Sequence, residues 1–274
     1  MTINCKGQLI DLSSPKVMGI LNVTPDSFYD GGQYKDETAI LNQVGKMFHE
    51  GATFIDIGGY SSRPGADHVS VSEELQRVIP MVELILKTFP HAILSIDTFR
   101  STVAKASIDA GAALINDISA GHLDGEMIPT IGKMGVPYIM MHMKGNPKTM
   151  QEQTDYEDLI KEMLSYFSER IAKAHKAKIN DIIIDPGFGF AKTLRQNYEL
   201  LQKMELLKIA DKPILVGISR KSMVYKPLQT DSASALNGTT ALHMVALQKG
   251  AKILRVHDVK EAVECVTLFS KLNF

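Results

Sequence analysis

The sequence predicts an α/β fold, a (β/α)8 TIM barrel with an N-terminal β-hairpin, formed as a single domain over residues 1–274. Three observations carry this expectation. At 274 residues, 45% of them hydrophobic, the chain can build one large core and is close to the roughly 250 residues of such a barrel. Short apolar or β-branched runs alternate with helix-periodic segments from end to end, as repeated βα units around a parallel sheet require. The runs number roughly eight, the strand count of the barrel.

In chain order, residues 3–12 read as a small hairpin turning at Lys6-Gly7 and placed to cover the barrel bottom. Strands are then expected at residues 17–21, 54–57, 93–96, 114–115, 138–141, 182–184, 214–217 and 253–256. Leu41, Val44, Met47 and Phe48 recur at helical spacing after the first strand, and Leu75, Val78, Ile79, Val82 and Ile85 after the second. Ser70 with Glu73, Thr193 with Gln196 and Asp258 with Glu261 are capping pairs that should start helices. Residues 155–178 hold the longest helical pattern, with Leu159, Met163, Tyr166, Phe167 and Ile171 on a core-facing side. Residues 237–240, Asn-Gly-Thr-Thr, start a later helix whose N–H groups lie near the barrel mouth. No low-complexity segment or linker divides the chain.

Charge excludes several partner classes. Thirty Lys and Arg against 31 Asp and Glu leave a net charge of -1, so there is no diffuse basic field for nucleic acid or an anionic membrane, and any anion site must be local. The first 14 residues lack a basic start followed by an apolar core, and no stretch is long enough to span a bilayer. A soluble, cytoplasmic protein is expected. Cys5 and Cys265 lie at opposite ends of the chain, without metal or redox spacing, and read as reduced thiols.

The chemistry should collect at the carboxyl ends of the strands, where such barrels build their sites. In order these ends read Asn22, Gly58-Gly59, Asp97, Asn116-Asp117, His142, Asp185, Ser219-Arg220-Lys221 and Arg255-Val256-His257. Taken one at a time, a turn carboxylate is a helix cap and a turn cation a surface charge. Together they place carboxylates and amides on one side and Lys221, Arg255 and His257 on the other, so a hydrogen-bonding heterocycle and an anion can share one cavity. Asp185 precedes Pro-Gly-Phe-Gly-Phe, whose glycines permit tight turns beside a ligand. The cations fall after strands seven and eight, where barrels often hold phosphate. No HExxH, paired-cysteine or His-rich cluster suits zinc, whereas magnesium needs few protein oxygens, such as that of Asn22.

At these residues the sequence resembles the dihydropteroate synthase family, over nearly its whole length. The matching stretches are GILNVTPDSFYDGG at 19–32, DIGGYSSRPGA at 56–66, SIDT at 95–98, IND at 115–117, DPGFGF at 185–190, GISRK at 217–221 and RVH at 255–257. The resemblance implies an alkyl-transferring enzyme of folate biosynthesis that joins a dihydropterin pyrophosphate to para-aminobenzoate. By the same resemblance Asp97, Asn116, Asp185 and Lys221 hold the pterin, Asn22 meets Mg2+, and Arg255 and His257 hold pyrophosphate with Ser62 and Arg63. Loops at 22–32 and 61–65 would close over the site and, with Pro64, Phe190, Lys221 and Ser222, complete the pocket for aminobenzoate, the substrate that sulfonamides mimic. Asp30 is the candidate for steadying the cationic methylene, and Lys221 the second catalytic candidate. A homodimer through residues 233–249 and 259–272 is implied as well. Two positions depart from the pattern: Tyr60 stands where relatives usually carry Glu, and Ser62 where Thr is usual. A pterin-dependent methyltransferase and a non-catalytic pterin-binding paralogue are the rival readings; the loop signatures and anion set disfavour the first, and their presence disfavours the second.

Overall fold

The computed structural model of the chain describes residues 1–23, 33–60, 69–147 and 149–272. β1 (Thr2–Cys5) and β2 (Gln8–Asp11) form an antiparallel hairpin. Its turn residues Lys6 and Gly7 both have positive φ, 54° and 85°, the requirement of the tight turn that matches strand twist. Eight parallel strands follow: β3 (Lys16–Asn22), β4 (Phe54–Gly58), β5 (Leu94–Asp97), β6 (Leu114–Asp117), β7 (Tyr138–Met141), β8 (Ile182–Asp185), β9 (Ile214–Val216) and β10 (Ala251–Val256). They close in sequence order, β10 pairing with β3 through Leu254 opposite Val17. All eight expected strands are present, with ends displaced by up to two residues.

Helices cover the outside: α1 (Gln33–His49), α2 (Val71–Thr88), α3 (Ser101–Asp109), α4 (Met127–Met134), α5 (Leu159–Lys176), α6 (Leu194–Lys203), α7 (Ser222–Tyr225), α8 (Leu236–Gln248) and α9 (Val259–Leu272). Ser70 and Thr193 cap α2 and α6 in reciprocal boxes with Glu73 and Gln196. The third expected box does not form. Asp258 does precede α9, but both its carboxylate oxygens face the guanidinium of Arg220, at 2.8 Å each. An ion pair with a guanidinium fork is stronger than a bond to one backbone N–H, so the side chain is drawn away from the helix end. No described helix is long and apolar enough to cross a membrane.

Side-chain alternation along the strands decides what faces the lumen. Ile55, Ile57, Leu94, Ile96, Ile115, Ile182, Ile184, Val216 and Leu254 point outward and pack with the helices. Met18, Phe54, Leu114, Ile139, Ile183, Leu215 and Ile253 point inward and form the barrel floor, with Ile3, Cys5, Ile10 and Leu12 of the hairpin sealing it from below. Cys5 is thus a packing residue, and burial raises its thiol pKa to about 12.

Candidate active site at the barrel mouth

Two residues above the floor, the inward positions change character. Phe54 is followed by Asp56, Leu114 by Asn116, Ile183 by Asp185 and Ile253 by Arg255, all of the same strand parity. The register places Asn22 opposite Gly58, Gly58 opposite Asp97 and Asp97 opposite Asn116, so these groups share one ring of the lumen, with Asp56 and the Ser95 opposite it one inward position deeper. Arg255 spans it: its Nε donates to Asp56 Oδ2 at 2.6 Å and an NH2 to Asp97 Oδ2 at 2.7 Å. Asn116 Nδ2 donates to the same Asp56 oxygen at 3.0 Å. Asp56 Oδ1 and Ser95 Oγ are buried without a hydrogen-bond partner, the condition of groups awaiting a polar ligand or water.

Burial sets the electrostatics. It lifts Asp97 to about 7, with Arg255 opposing and Asp56 adding to the rise. Asp185 is raised by burial against the pull of Lys221. Lys221 falls to about 8 through burial, with Asp185 opposing and Arg255 adding. Burial works against the Arg255 charge as well, but Asp56 and Asp97 outweigh it and hold the guanidinium ionised. Three carboxylates therefore share two cations in a dehydrated ring, where hydrogen-bond acceptors and an anion-binding charge stand a few ångströms apart.

The turn after β8 forms one wall. Gly187 has φ +70°, and a Cβ there would lie 2.2 Å from the His142 carbonyl, so only glycine fits. Its N–H donates to Asp185 Oδ1 at 2.7 Å. Lys221 Nζ donates to the Phe188 carbonyl at 2.6 Å and lies 4.7 Å from the centre of the Phe190 ring. Ser222 is the first residue of α7, directly beyond Lys221. His257 Nδ1 is 3.0 Å from Ser219 Oγ, joining the ends of β9 and β10. Asn22 is exposed at the end of β3.

Asp97, Asn116, Asp185, Lys221, Phe190, Ser222, Arg255, His257 and Asn22 thus gather at one end of the barrel. Asp30, Ser62, Arg63 and Pro64 lie outside the described residues. Just before that second segment, Tyr60 packs edge-on against Phe99 with ring centres 5.1 Å apart, and the Arg100 guanidinium lies 5.3 Å from its ring. Three strand-end residues face elsewhere. The Asp117 carboxylate receives Tyr138 Oη, Ser119 N and Oγ, and Gly121 N, because its parity turns it outward toward the helix layer. His142 packs among Tyr156, Tyr166 and Phe167. Arg220 is bound to Asp258 and to the Ser232 and Ala233 carbonyls. Conversely, Asp56 and Ser95 join the ring from within their strands. A carboxylate inside an otherwise apolar run, at the parity of Gly58, was their available signal.

Among the described residues no three or more His, Cys, Asp or Glu gather to hold a metal. The single neutral oxygen of Asn22 suits a hard cation that keeps water and phosphate oxygens as its other ligands.

A family model described as pterin binding enzyme matches residues 18–257. Dihydropteroate synthase of Escherichia coli strain K12 is 46% identical, covering 100% of this chain and 99% of the relative. That of Haemophilus influenzae is 42% identical over 94% of each. Among solved structures, Yersinia pestis dihydropteroate synthase in a sulfonamide drug complex superposes with a TM-score of 0.93 at 44% identity, covering 100% of this chain and 99% of that one. Xanthomonas albilineans dihydropteroate synthase with 4-aminobenzoic acid gives 0.91 at 37%, covering 99% and 98%.

Proposed function

The chain belongs to the pterin binding enzyme family, and from that premise we propose how the residues of its mouth divide the work of the reaction its relatives are named for. That reaction is dihydropteroate synthesis: the chain condenses 6-hydroxymethyl-7,8-dihydropterin pyrophosphate with para-aminobenzoate, giving 7,8-dihydropteroate and pyrophosphate in folate biosynthesis.

The observation that carries the division is the acceptor-rich ring closed by two cations. Asp97, Asn116 and Asp185 face the N–H edge of the pterin, and Lys221 supplies a compact charge beside it. Asp56 holds Arg255 and Asn116 from within the barrel. On the far side of the ring Arg255 and His257 hold the pyrophosphate, with Ser62 and Arg63. The bond from the exocyclic methylene to the pyrophosphate oxygen breaks as the arylamine nitrogen bonds to that carbon, and the amine then loses a proton. Arg255 and His257 draw off the charge of the leaving group, while the electron-rich ring stabilises the developing cation, with Asp30 steadying it. No covalent enzyme intermediate is needed; holding two reactants in line supplies much of the acceleration. Mg2+, held through Asn22, would neutralise charge on the pyrophosphate.

Phe190, Lys221, Ser222, Ser62, Arg63 and Pro64 form the aminobenzoate pocket, which also takes sulfonamide mimics. Binding is ordered: magnesium pyrophosphate engages both flanking loops and completes that pocket. A homodimer through α8 and α9 fits the exposure of Leu268 and Leu272, 63% and 67%, on α9. Calorimetry of aminobenzoate, with and without magnesium pyrophosphate and a pterin fragment, tests the order; equally tight binding to the bare protein rejects it. Arg63→Ala should impair turnover while sparing the free pterin alcohol.

A further inference from the structure

Lys192 takes no part in the chemistry just described, yet it is 4% exposed, a burial that a lysine tolerates only when its ammonium is partnered. Its Nζ lies 3.1 Å from the Gly187 carbonyl, 3.0 Å from the Phe190 carbonyl and 3.1 Å from His142 Nδ1. An ammonium has three N–H donors and no acceptor, so each donor meets one acceptor when His142 carries its proton on Nε2. The cage joins the end of β7, through His142, to the turn after β8.

Lys221 leans on that same turn, through the Phe188 carbonyl and the Phe190 ring. Lys192 grips residues 187 and 190 from behind while Lys221 meets 188 and 190 from the lumen. Gly187 N–H to Asp185 and Gly189 N–H to Asn197 Oδ1, both 2.7 Å, fix the remaining edges. Removing the rear donor leaves the Phe190 carbonyl unsatisfied and the Gly187 carbonyl with only the Phe190 N–H, 3.1 Å away, in a turn whose glycines offer little stiffness of their own.

We propose that Lys192 is a positioning residue for Lys221: by clamping the Gly187 and Phe190 carbonyls it holds the Phe188 carbonyl and the Phe190 ring where they aim the Lys221 ammonium into the pterin site. The inference rests on the reading that Lys221 holds the pterin.

The charges around the cage give it a signature in pH. Burial lowers Lys192 to about 7, Asp185 on β8 opposing and the ammoniums of Lys221 and Lys144 adding to the fall. His142 is held neutral by burial and by Lys192 and Lys144. The Tyr156 and Tyr166 phenols packed on His142 are raised by burial and stay neutral. A neutral Lys192 loses the charge that strengthens its bonds to the two carbonyls, so the cage loosens near pH 7, one step before Lys221 discharges at about 8. Pterin affinity should therefore begin its alkaline decline at the lower of the two.

Calorimetric titration of the free pterin alcohol from about pH 6 to about 9, against the parent, Lys192→Met and Lys221→Met, tests this. Lys192→Met matches the length without the charge. It should bind about tenfold more weakly at neutral pH, and its alkaline limb should move from about 7 to about 8, because only the Lys221 step remains. An unmoved limb with affinity within about twofold of the parent overturns the proposal. Undiminished pterin binding by Lys221→Met would instead reject the site reading itself. If Lys192→Met does not fold, His142→Leu serves: it leaves one ammonium N–H unsatisfied, favours the neutral amine and should move the limb below that of the parent, and a stationary limb again overturns the proposal.

Discussion

The floor and the mouth of this barrel are successive layers of the same strands, roughly 6–7 Å apart along each one. In the floor, Met18, Phe54, Leu114, Ile139, Ile183, Leu215 and Ile253 are fully buried and none of these seven side chains carries a titratable group. In the mouth, Asp56, Asn116, Asp185 and Arg255 occupy the next inward positions of four of those strands; Asp56 holds Asn116 and Arg255, and Asp185 accepts the Gly187 N–H. A step of two residues thus separates what holds the barrel from what it holds. The mouth bears a desolvation cost that the floor, with its apolar contacts, offsets.

The sharpest way to break this comparison is to move a floor change into function or a mouth change into stability. Phe54→Ala should lower unfolding free energy by about 3–5 kcal/mol in denaturant titrations, while the folded fraction keeps the parent's pterin affinity. A matching fall in affinity would show that the layers are not separable. Asp185→Asn is the reciprocal change. It keeps size but presents an NH2 where an acceptor is required, so calorimetry should show pterin binding weakened by about 1–3 kcal/mol, with a melting temperature no lower than the parent's.

Titration sharpens the same contrast. Asp97 accepts hydrogen bonds at both oxygens only as a carboxylate, and protonation turns one of them into a donor facing the pterin N–H edge, so pterin binding should fall as pH drops below about 7. Lys221 carries charge only when protonated, so the alkaline decline that begins with Lys192 near 7 should steepen above about 8. Each limb should approach tenfold per pH unit. In the unliganded fold the sign for Asp97 is opposite: its pKa is raised above 3.8, so its contribution to stability is present below 3.8 and lost as pH rises through about 7. A flat affinity profile between about 6 and about 9 removes both groups from the pterin site.

The smallest effect belongs to neither layer. His243, on α8, is 1% exposed with both ring nitrogens unpartnered, and burial depresses it from 6.5 to about 4. Its contribution to stability is complete above 6.5 and is lost as pH falls through about 4. His243→Leu should change stability by about 1 kcal/mol or less at neutral pH and flatten the acid-side decline, as melting curves across that range would show.

Strand existence and order were legible because β-branched runs such as Ile-Ile-Ile-Asp at 182–185 admit few other readings. The gathering of Asp97, Asn116, Asp185, Lys221 and Arg255 followed from the rule that barrel strands end at the site. What the sequence concealed was direction. Asp117 sits beside Asn116, yet the pleat turns it to Tyr138 on the opposite face. His142 likewise leaves the strand toward α5, whose aromatic rings enclose it. Asp56 was hidden for the converse reason: it lies inside its strand rather than at the end, where attention to turns does not reach. Lys192 gave no local sign, since a lysine two residues from a glycine turn is ordinarily a solvated surface charge.

The hairpin that seals the floor is made before every strand it covers. Ile3, Cys5, Ile10 and Leu12 meet residues as distant as Ile253, Asn4 N–H bonds to Asp181, and the Lys252 ammonium bonds to the Ser13 carbonyl. During synthesis, which runs at roughly 5–20 residues per second, this apolar face waits several seconds or more for its partners. The ring cannot close until β10 reaches β3, so a nascent chain halted short of residue 251 exposes both the hairpin and an unpaired strand edge. The hairpin, translated before the strands it covers, is thus among the last elements to be buried, and that interval is when this chain is most open to holdase capture or to pairing with a neighbour on the same message.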